Sequence, residues 1–317
     1  NTPLFYVFQQ QSNLIIENYS VFQHEKILKD VGGNIRSLKI KRWNWSLDVD
    51  RLLEIFSLCP NLKRLKFEKI QFNFMLKLND ENLPNYDNLE LDLLETDSRI
   101  LPIFKNCTAR SLSFDYVPSG GRFTIPEVID FIKRQESLEE LTLSGFVAFI
   151  DAGMGKIIFN DANLSSVKFQ LKKLCLRTSP LYETIHFNNF LRLHASSLTH
   201  LEIDSMFFWD FSHFLTECKN LTSLKILKRD RQSTLTRKLE SVKSLTIEGI
   251  VDKFYLANFP NLKFLNVSKL KVTRNVFDER IECDKVEELV IDKSWLGGFF
   301  KFPALKKIHF KDIRVLS

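Results

Sequence analysis

LEELTL, Leu138 to Leu143, decides how the chain is read, because the same apolar-x-x-apolar-x-apolar hexad returns along the whole sequence. It recurs as IRSLKI from Ile35, LKRLKF from Leu62, ARSLSF from Ala109, LKKLCL from Leu171, LTHLEI from Leu198 and LTSLKI from Leu221. It continues as VKSLTI from Val242, LKFLNV from Leu262, VEELVI from Val286 and LKKIHF from Leu305, and YDNLEL, Tyr86 to Leu91, fills the remaining gap. The central apolar residues are then Leu38, Leu65, Leu89, Leu112, Leu141, Leu174, Leu201, Leu224, Leu245, Leu265, Leu289 and Ile308, spaced 19 to 33 residues apart. One such hexad is noise; a dozen at this period are a tandem repeat. Alternation of apolar and polar residues makes a short strand with one buried face. In LEELTL that turns Leu141 and Leu143 inward and Glu140 and Thr142 outward. A unit this small cannot bury its apolar face alone, so neighbours stack and their strands form a parallel sheet. Parallel strands need crossovers, which the residues between hexads supply. The expected fold is an α/β solenoid of about twelve irregular repeats, curved, with the sheet concave and helices or irregular segments on the convex side.

At 317 residues the chain is long for one ordinary core, but in a stacked array each repeat touches only its neighbours. Residues 35–317 are therefore read as one domain and residues 1–34 as a capping segment before it. No run approaches the roughly 18 apolar residues that would suggest a membrane helix. The net charge of +6 is spread, with Lys and Glu alternating, which argues against nucleic acid as the partner. The five cysteines show no close pairing, and Cys59, Cys107 and Cys218 each lie a few residues before a hexad. That repeated place suits small buried thiols at a turn better than disulfides or metal ligands. A reducing compartment, cytoplasm or nucleus, is expected; six N-x-S/T sequons, from Asn18 to Asn266, keep secretion as the minority alternative.

Between the hexads, Leu14 and Ile16 suggest one further strand, followed by a short helix stopped at Gly32 and Gly33. Val49, Leu52, Leu53 and Phe56 are spaced as one face of a helix from about Asp48 to Cys59. A short helix is expected over Ser98 to Lys105, and Thr124, Pro126 and Glu127 read as the capped start of another. FNNFLRLHAS and WDFSHFLTEC also read as helices, the second with Phe211, Phe214, Leu215 and Cys218 on one face. The long interval after Leu143 predicts a protruding loop, and its GMGK is too short for a phosphate-binding loop. After Leu221 the intervals have room only for turns or single helical turns.

No catalytic constellation stands out. The six histidines are scattered without a metalloprotease or nucleophile motif, and the acidic residues form no evident acid/base pair. The chain is read as a non-enzyme without cofactor or metal. A protein-binding surface is easier to place, because the outward residues of the hexads share one face of the sheet. In order they give Lys39, Lys41, Arg64 and Lys66 with Glu68, then Glu90, Asp92, Asp115 and Glu140. Lys173 and Arg177 follow, then Glu202, Asp204 and Lys225, with His200 and His309 also outward. The face changes sign along its length, which suits a protein of mixed charge better than a polyanion. Trp43, five residues after Leu38, is expected to turn inward.

With the hexads assembled, the chain resembles the leucine-rich-repeat superfamily over nearly its whole length. Many members place Asn or Cys five residues after the central leucine, where the side chain bonds neighbouring backbones in a ladder. Here those places hold residues such as Trp43, Ile70, Leu94 and Met206, so the resemblance implies that the ladder is missing and that apolar packing replaces it. The variable repeat length, with CPNLKRLKF and ECKNLTSLKI, is similar to the substrate-binding half of F-box/leucine-rich-repeat proteins. The opening segment, SNLIIENYSVFQHEKILKDVGGNIRSLKI, is similar to the connection after an F-box. The resemblance implies a protein-recognition module of a ubiquitin ligase receptor, joined to cullin-type machinery through an F-box that these residues do not contain. The alternative expectation is a scaffold or secreted effector that binds a protein with no ligase involved.

Overall fold

In the computed structural model each hexad becomes a strand, and within each of two units the strands pair in parallel with their neighbours in sequence. The structure describes residues 12–17, 28–41, 49–70, 83–96, 98–115, 125–144, 167–177, 184–204, 214–229, 237–249, 256–268, 281–292 and 300–311. Trp43, Trp45, Thr124, Phe211 and the loop expected after the Leu143 strand lie outside them. The chain divides into two compact units, Asn1–Gln170 and Leu171–Ser317.

The first unit carries β1 (Asn13–Glu17), β2 (Ser37–Lys41), β3 (Arg64–Glu68), β4 (Leu89–Leu94), β5 (Ala109–Asp115) and β6 (Glu140–Ser144). They pair in chain order, all parallel. The aligned column runs Leu14, Leu38, Leu65, Leu91, Leu112, Leu141. Leu91, and not Leu89, is therefore the central residue of its repeat. Alternation could not choose between them, because a two-residue slip in LELDLL leaves every side chain on the same face. The chain path makes the choice. Lys69 and Glu95, each four residues past its central leucine, leave their strands with positive φ of 60° and 49°. Their N–H groups then donate to Leu94 and Asp115 carbonyls of the following repeats.

Helix α1 (Val49–Leu58) forms where the periodicity placed it, turned slightly from the expected face. Leu52, Ile55, Phe56 and Cys59 are buried, while Val49 and Leu53 are only half-buried. Phe56 packs against Phe67, Tyr86 and Phe104 with ring centroids 5.6 to 6.5 Å apart, a range that suits edge-on aromatic contacts. Ser98–Phe104 is a 3-10 helix with Pro102 inside. Helix α2 (Ile125–Lys133) buries Val128, Ile129 and Ile132, and Phe131 with them. At the start of the unit, residues 28–31 are helical and Gly32–Asn34 form a 3-10 turn. A Cβ on Gly32 would lie 2.2 Å from the Leu58 carbonyl oxygen, so only glycine lets this turn sit against the end of α1.

The second unit repeats the plan with β7 (Lys173–Arg177), β8 (His200–Asp204), β9 (Ser223–Arg229), β10 (Ser244–Gly249) and β11 (Phe264–Ser268). After the two-residue β12 (Ile281–Glu282) come β13 (Glu288–Asp292), the short β14 (Phe300–Lys301) and β15 (Lys307–Lys311). β7 to β11, then β13 and β15, pair in parallel with Leu174, Leu201, Leu224, Leu245, Leu265, Leu289 and Ile308 in one column. β12 pairs only with β14. Helix α3 (Thr184–His194) supplies Phe190, Leu191 and His194 to the core, and residues 214–217 add a single helical turn.

Two devices recur that the hexads alone do not announce. The carbonyl two residues before a central leucine accepts two N–H groups from the next repeat. Arg36, Lys172, Thr199, Thr222, Lys243, Lys263 and Glu287 all do so. Four residues before the central leucine sits a polar rung. Asn61, Asn220 and Asn261 each donate their amide to a carbonyl of the preceding repeat, Gly33, Ser196 and Glu240, at 2.6 to 2.9 Å. Ser197 makes the corresponding bond to Leu171 at 2.8 Å. A side-chain ladder is thus present, four residues before the central leucine and not five after it. Five after the central leucine, Ile70 and, in the corrected register, Thr96 are buried.

Candidate functional site

The outward residues of the strands stand in rows, because parallel register places equivalent side chains beside each other about 4.8 Å apart. On the first unit, Lys39 of β2 pairs with Glu68 of β3 at 2.6 Å, and Lys66 of β3 pairs with Asp92 of β4. The hydrogen bond from Lys39 holds the Glu68 carboxyl below the usual range. Arg64 and Glu90 are exposed and directly opposite in register. Arg64 and Lys41 have no ion-pair partner among the described residues. Asp115 and Glu140 are both half-buried on neighbouring strands but aligned with Ser144 and Ser111, not with each other.

The second unit has the tighter arrangement. Arg177 of β7 reaches Glu202 of β8 through two bonds, Nε to Oε1 at 2.7 Å and Nη2 to Oε2 at 3.2 Å. Lys225 of β9 approaches Oε1 from the other side at 3.1 Å. Glu202 is 8% exposed although it lies on the outward side of its strand. Burial works to raise its pKa; hydrogen bonding and charge from Arg177, then from Lys225, outweigh it, and the carboxyl is held below its ordinary value. This is a carboxylate desolvated between two cations and fixed by a forked guanidinium. Lys173 stands half-buried beside exposed-edge His200 in register, and Asp204 ends β8 opposite Leu227.

The sequence had placed Lys39, Lys66, Arg177 and Glu202 on the correct face without their partners. At the place directly after the central leucine, where alternation points outward, Cys175 and Val290 are buried, at 4% and 6% exposed, as Glu202 is. The polar rungs were also passed over, although Asn-Leu in CPNLKRL, CKNLTSL and FPNLKFL repeats at one place before the hexad. Asn220 heads a sequon, and its amide is committed to Ser196.

On the helical side of the first unit, a groove of about 710 Å³ runs between α1 and residues 83–86. Leu53, Phe56, Pro60, Leu83 and Tyr86 line it, with Asp50 and Glu54 also at its wall. The Tyr86 hydroxyl donates to the Phe56 and Cys59 carbonyls at 3.0 and 3.2 Å, and burial pushes its pKa up, which keeps it a donor. Among the described residues, no three His, Cys, Asp or Glu side chains form a metal-binding group, and no helix is long and apolar enough to cross a membrane.

The fold defines an α/β repeat protein built on parallel strands taken in chain order. No family model matches the chain, and no curated protein matches it as a relative.

Proposed function

We propose that the chain is a leucine-rich-repeat module that recognises a protein partner on the outward face of its strands. The observation that carries this reading is the set of charged rows held by cross-strand pairs: Lys39–Glu68, Lys66–Asp92 and Arg177–Glu202–Lys225. Side chains already fixed by neighbours lose little entropy when a partner arrives, and alternating sign selects a partner of complementary pattern. The similarity of CPNLKRLKF and ECKNLTSLKI to F-box/leucine-rich-repeat proteins extends the reading to the substrate-binding part of a ubiquitin ligase receptor.

Lys41 and Arg64 are cations of the first unit's strand face with no ion-pair partner among the described residues, so they are positions to test. Lys41→Glu with Arg64→Glu should weaken a partner identified by proximity labelling by about tenfold or more, with an altered salt dependence. Lys29→Glu with Arg134→Glu, on the helical side, carries the same charge change and should leave affinity nearly intact. Equal affinities for the two double variants would reject the strand face. In cells, the ligase reading requires the bound partner to accumulate when the strand-face variant replaces the wild type. An unchanged partner level with weakened binding would leave a recognition module without the ligase.

A further inference from the structure

The second unit carries, at the entry of its strands, a band without a single acid. The carbonyl ladder fixes one row, Lys172, Thr199, Thr222, Lys243 and Lys263, because each N–H after the first donates to the carbonyl before it. Strand register sets a second row beside it, Lys173, His200, Ser223, Ser244 and Phe264. All ten residues are exposed or half-buried, and four are lysines. None of the five strands is the first or last of the chain, and β8 to β11 are paired on both edges. Glu287 and Glu288 of β13 close the band, and the corresponding places of the first unit include Glu90, Glu139 and Glu140.

The distribution of charge within the band says what fits it. Lysines stand on β7 at one end and on β10 and β11 at the other, with hydroxyls and His200 between. Lys243 has no ion-pair partner among the described residues. Lys263 lies 3.7 Å from Glu287, whose carboxylate Lys306 holds more closely at 2.8 Å. The Thr199 and Thr222 hydroxyls donate to the Lys172 and Thr199 carbonyls, which leaves their oxygens as acceptors for an uncharged donor. Further along the same strands stand Glu202, Asp204 and Glu248, which confine an anion to the entry rows. A nucleic-acid duplex would lay phosphates over those carboxylates. A single strand would find Phe264 as the one aromatic of the ten to stack on. An extended peptide is narrow enough. From β7 to β10 is three strand spacings, about 14 Å, or roughly four residues of extended chain. We infer that the two rows hold an extended segment of a partner protein with acidic residues about four positions apart and uncharged polar residues between them. The inference rests on the strand-face reading above and names the chemistry of the partner on the second unit.

The probe is the fluorescent peptide Glu-Glu-Ser-Asn-Ser-Glu-Glu at physiological salt. It should bind with a saturable rise in anisotropy, and its analogue with Gln in place of every Glu should bind about tenfold more weakly or worse. The same acids set together, Glu-Glu-Glu-Glu-Ser-Asn-Ser, should bind more weakly than acids at both ends. Lys243→Glu with Lys263→Glu should weaken the first peptide about tenfold or more, and Lys172→Glu should weaken it too. All three are exposed positions, and circular dichroism checks the fold. Lys41→Glu with Arg64→Glu, on the first unit, should leave this peptide unaffected. Should the lysine variants not fold, the three peptides on the wild type still decide. Equal binding of the acidic and Gln peptides, or of the split and clustered acids, would overturn the inference. So would a single-stranded RNA heptamer that binds more tightly than the acidic peptide. If the peptide ignores Lys243→Glu with Lys263→Glu while Lys41→Glu with Arg64→Glu weakens a cellular partner, the strand-face reading stands and this inference falls.

Discussion

His194 shows most directly how burial sets the chemistry of one side chain. It ends α3 fully buried, with its ring 4.7 Å from Phe190, and its Nδ1 accepts the Leu171 N–H at 3.4 Å. Burial pushes its pKa down to about 4. An unfolded histidine titrates near ~6.5, so between these values the unfolded chain binds the extra proton. The stability is complete above the unfolded pKa and is lost as pH falls from there to about 4, with no further loss from this group below. The loss is on the order of 3 kcal/mol. Urea unfolding of the wild type and His194→Asn at pH 7 and 4.5 should give a smaller pH dependence for the variant. Parallel pH dependences would mean that His194 is not responsible. In the sequence this residue was one of six scattered histidines. Only the packing of the end of α3 against Leu171, just before β7, gives it a distinct role.

Among the elements, the turn before β2 and the helix after it depend on one missing side chain. Gly32→Ala drives a Cβ against the Leu58 carbonyl, whereas a Cβ on Gly33 meets nothing within 4 Å. Gly32→Ala should cost about 1–3 kcal/mol as an overpacked contact with backbone, and Gly33→Ala should be close to neutral. Urea midpoints of the two variants decide it, since equal midpoints would contradict the close approach. The sequence marked both glycines as a helix stop and could not rank them, because the atom that distinguishes them belongs to a residue 26 positions away. The same holds for the register of β4. Leu89, Leu91 and Leu93 are all buried, and the choice of Leu91 rests on where the neighbouring strands begin and end.

At the scale of the whole molecule, all five cysteines are free thiols, and four of them are buried. Cys59 and Cys107 are pushed up to about 11, and Cys218 and Cys283 to about 12, each by burial. Thiolate is the reactive form, so at pH 8 alkylation of these four in the native protein should run at least about a hundredfold slower than in urea. Mass spectrometry after complete labelling in urea without reductant should find five modified cysteines. Rapid labelling in the native state would show that the layer beneath the strands opens easily. A mass with fewer labels would reveal a disulfide.

Read alone, the sequence determined the repeat, the strands of the hexads and the face on which most of their side chains lie, because alternation is a property of a few consecutive residues. It also located α1 and the buried turn cysteines, whose spacing from the hexad is local too. Only the tertiary structure decided which leucine of LELDLL is central, which charges neutralise one another and which Asn holds a neighbouring backbone. Each of these depends on residues one repeat away, across intervals of unequal length, and a pattern of period two carries no information about what lies beside it in the next strand.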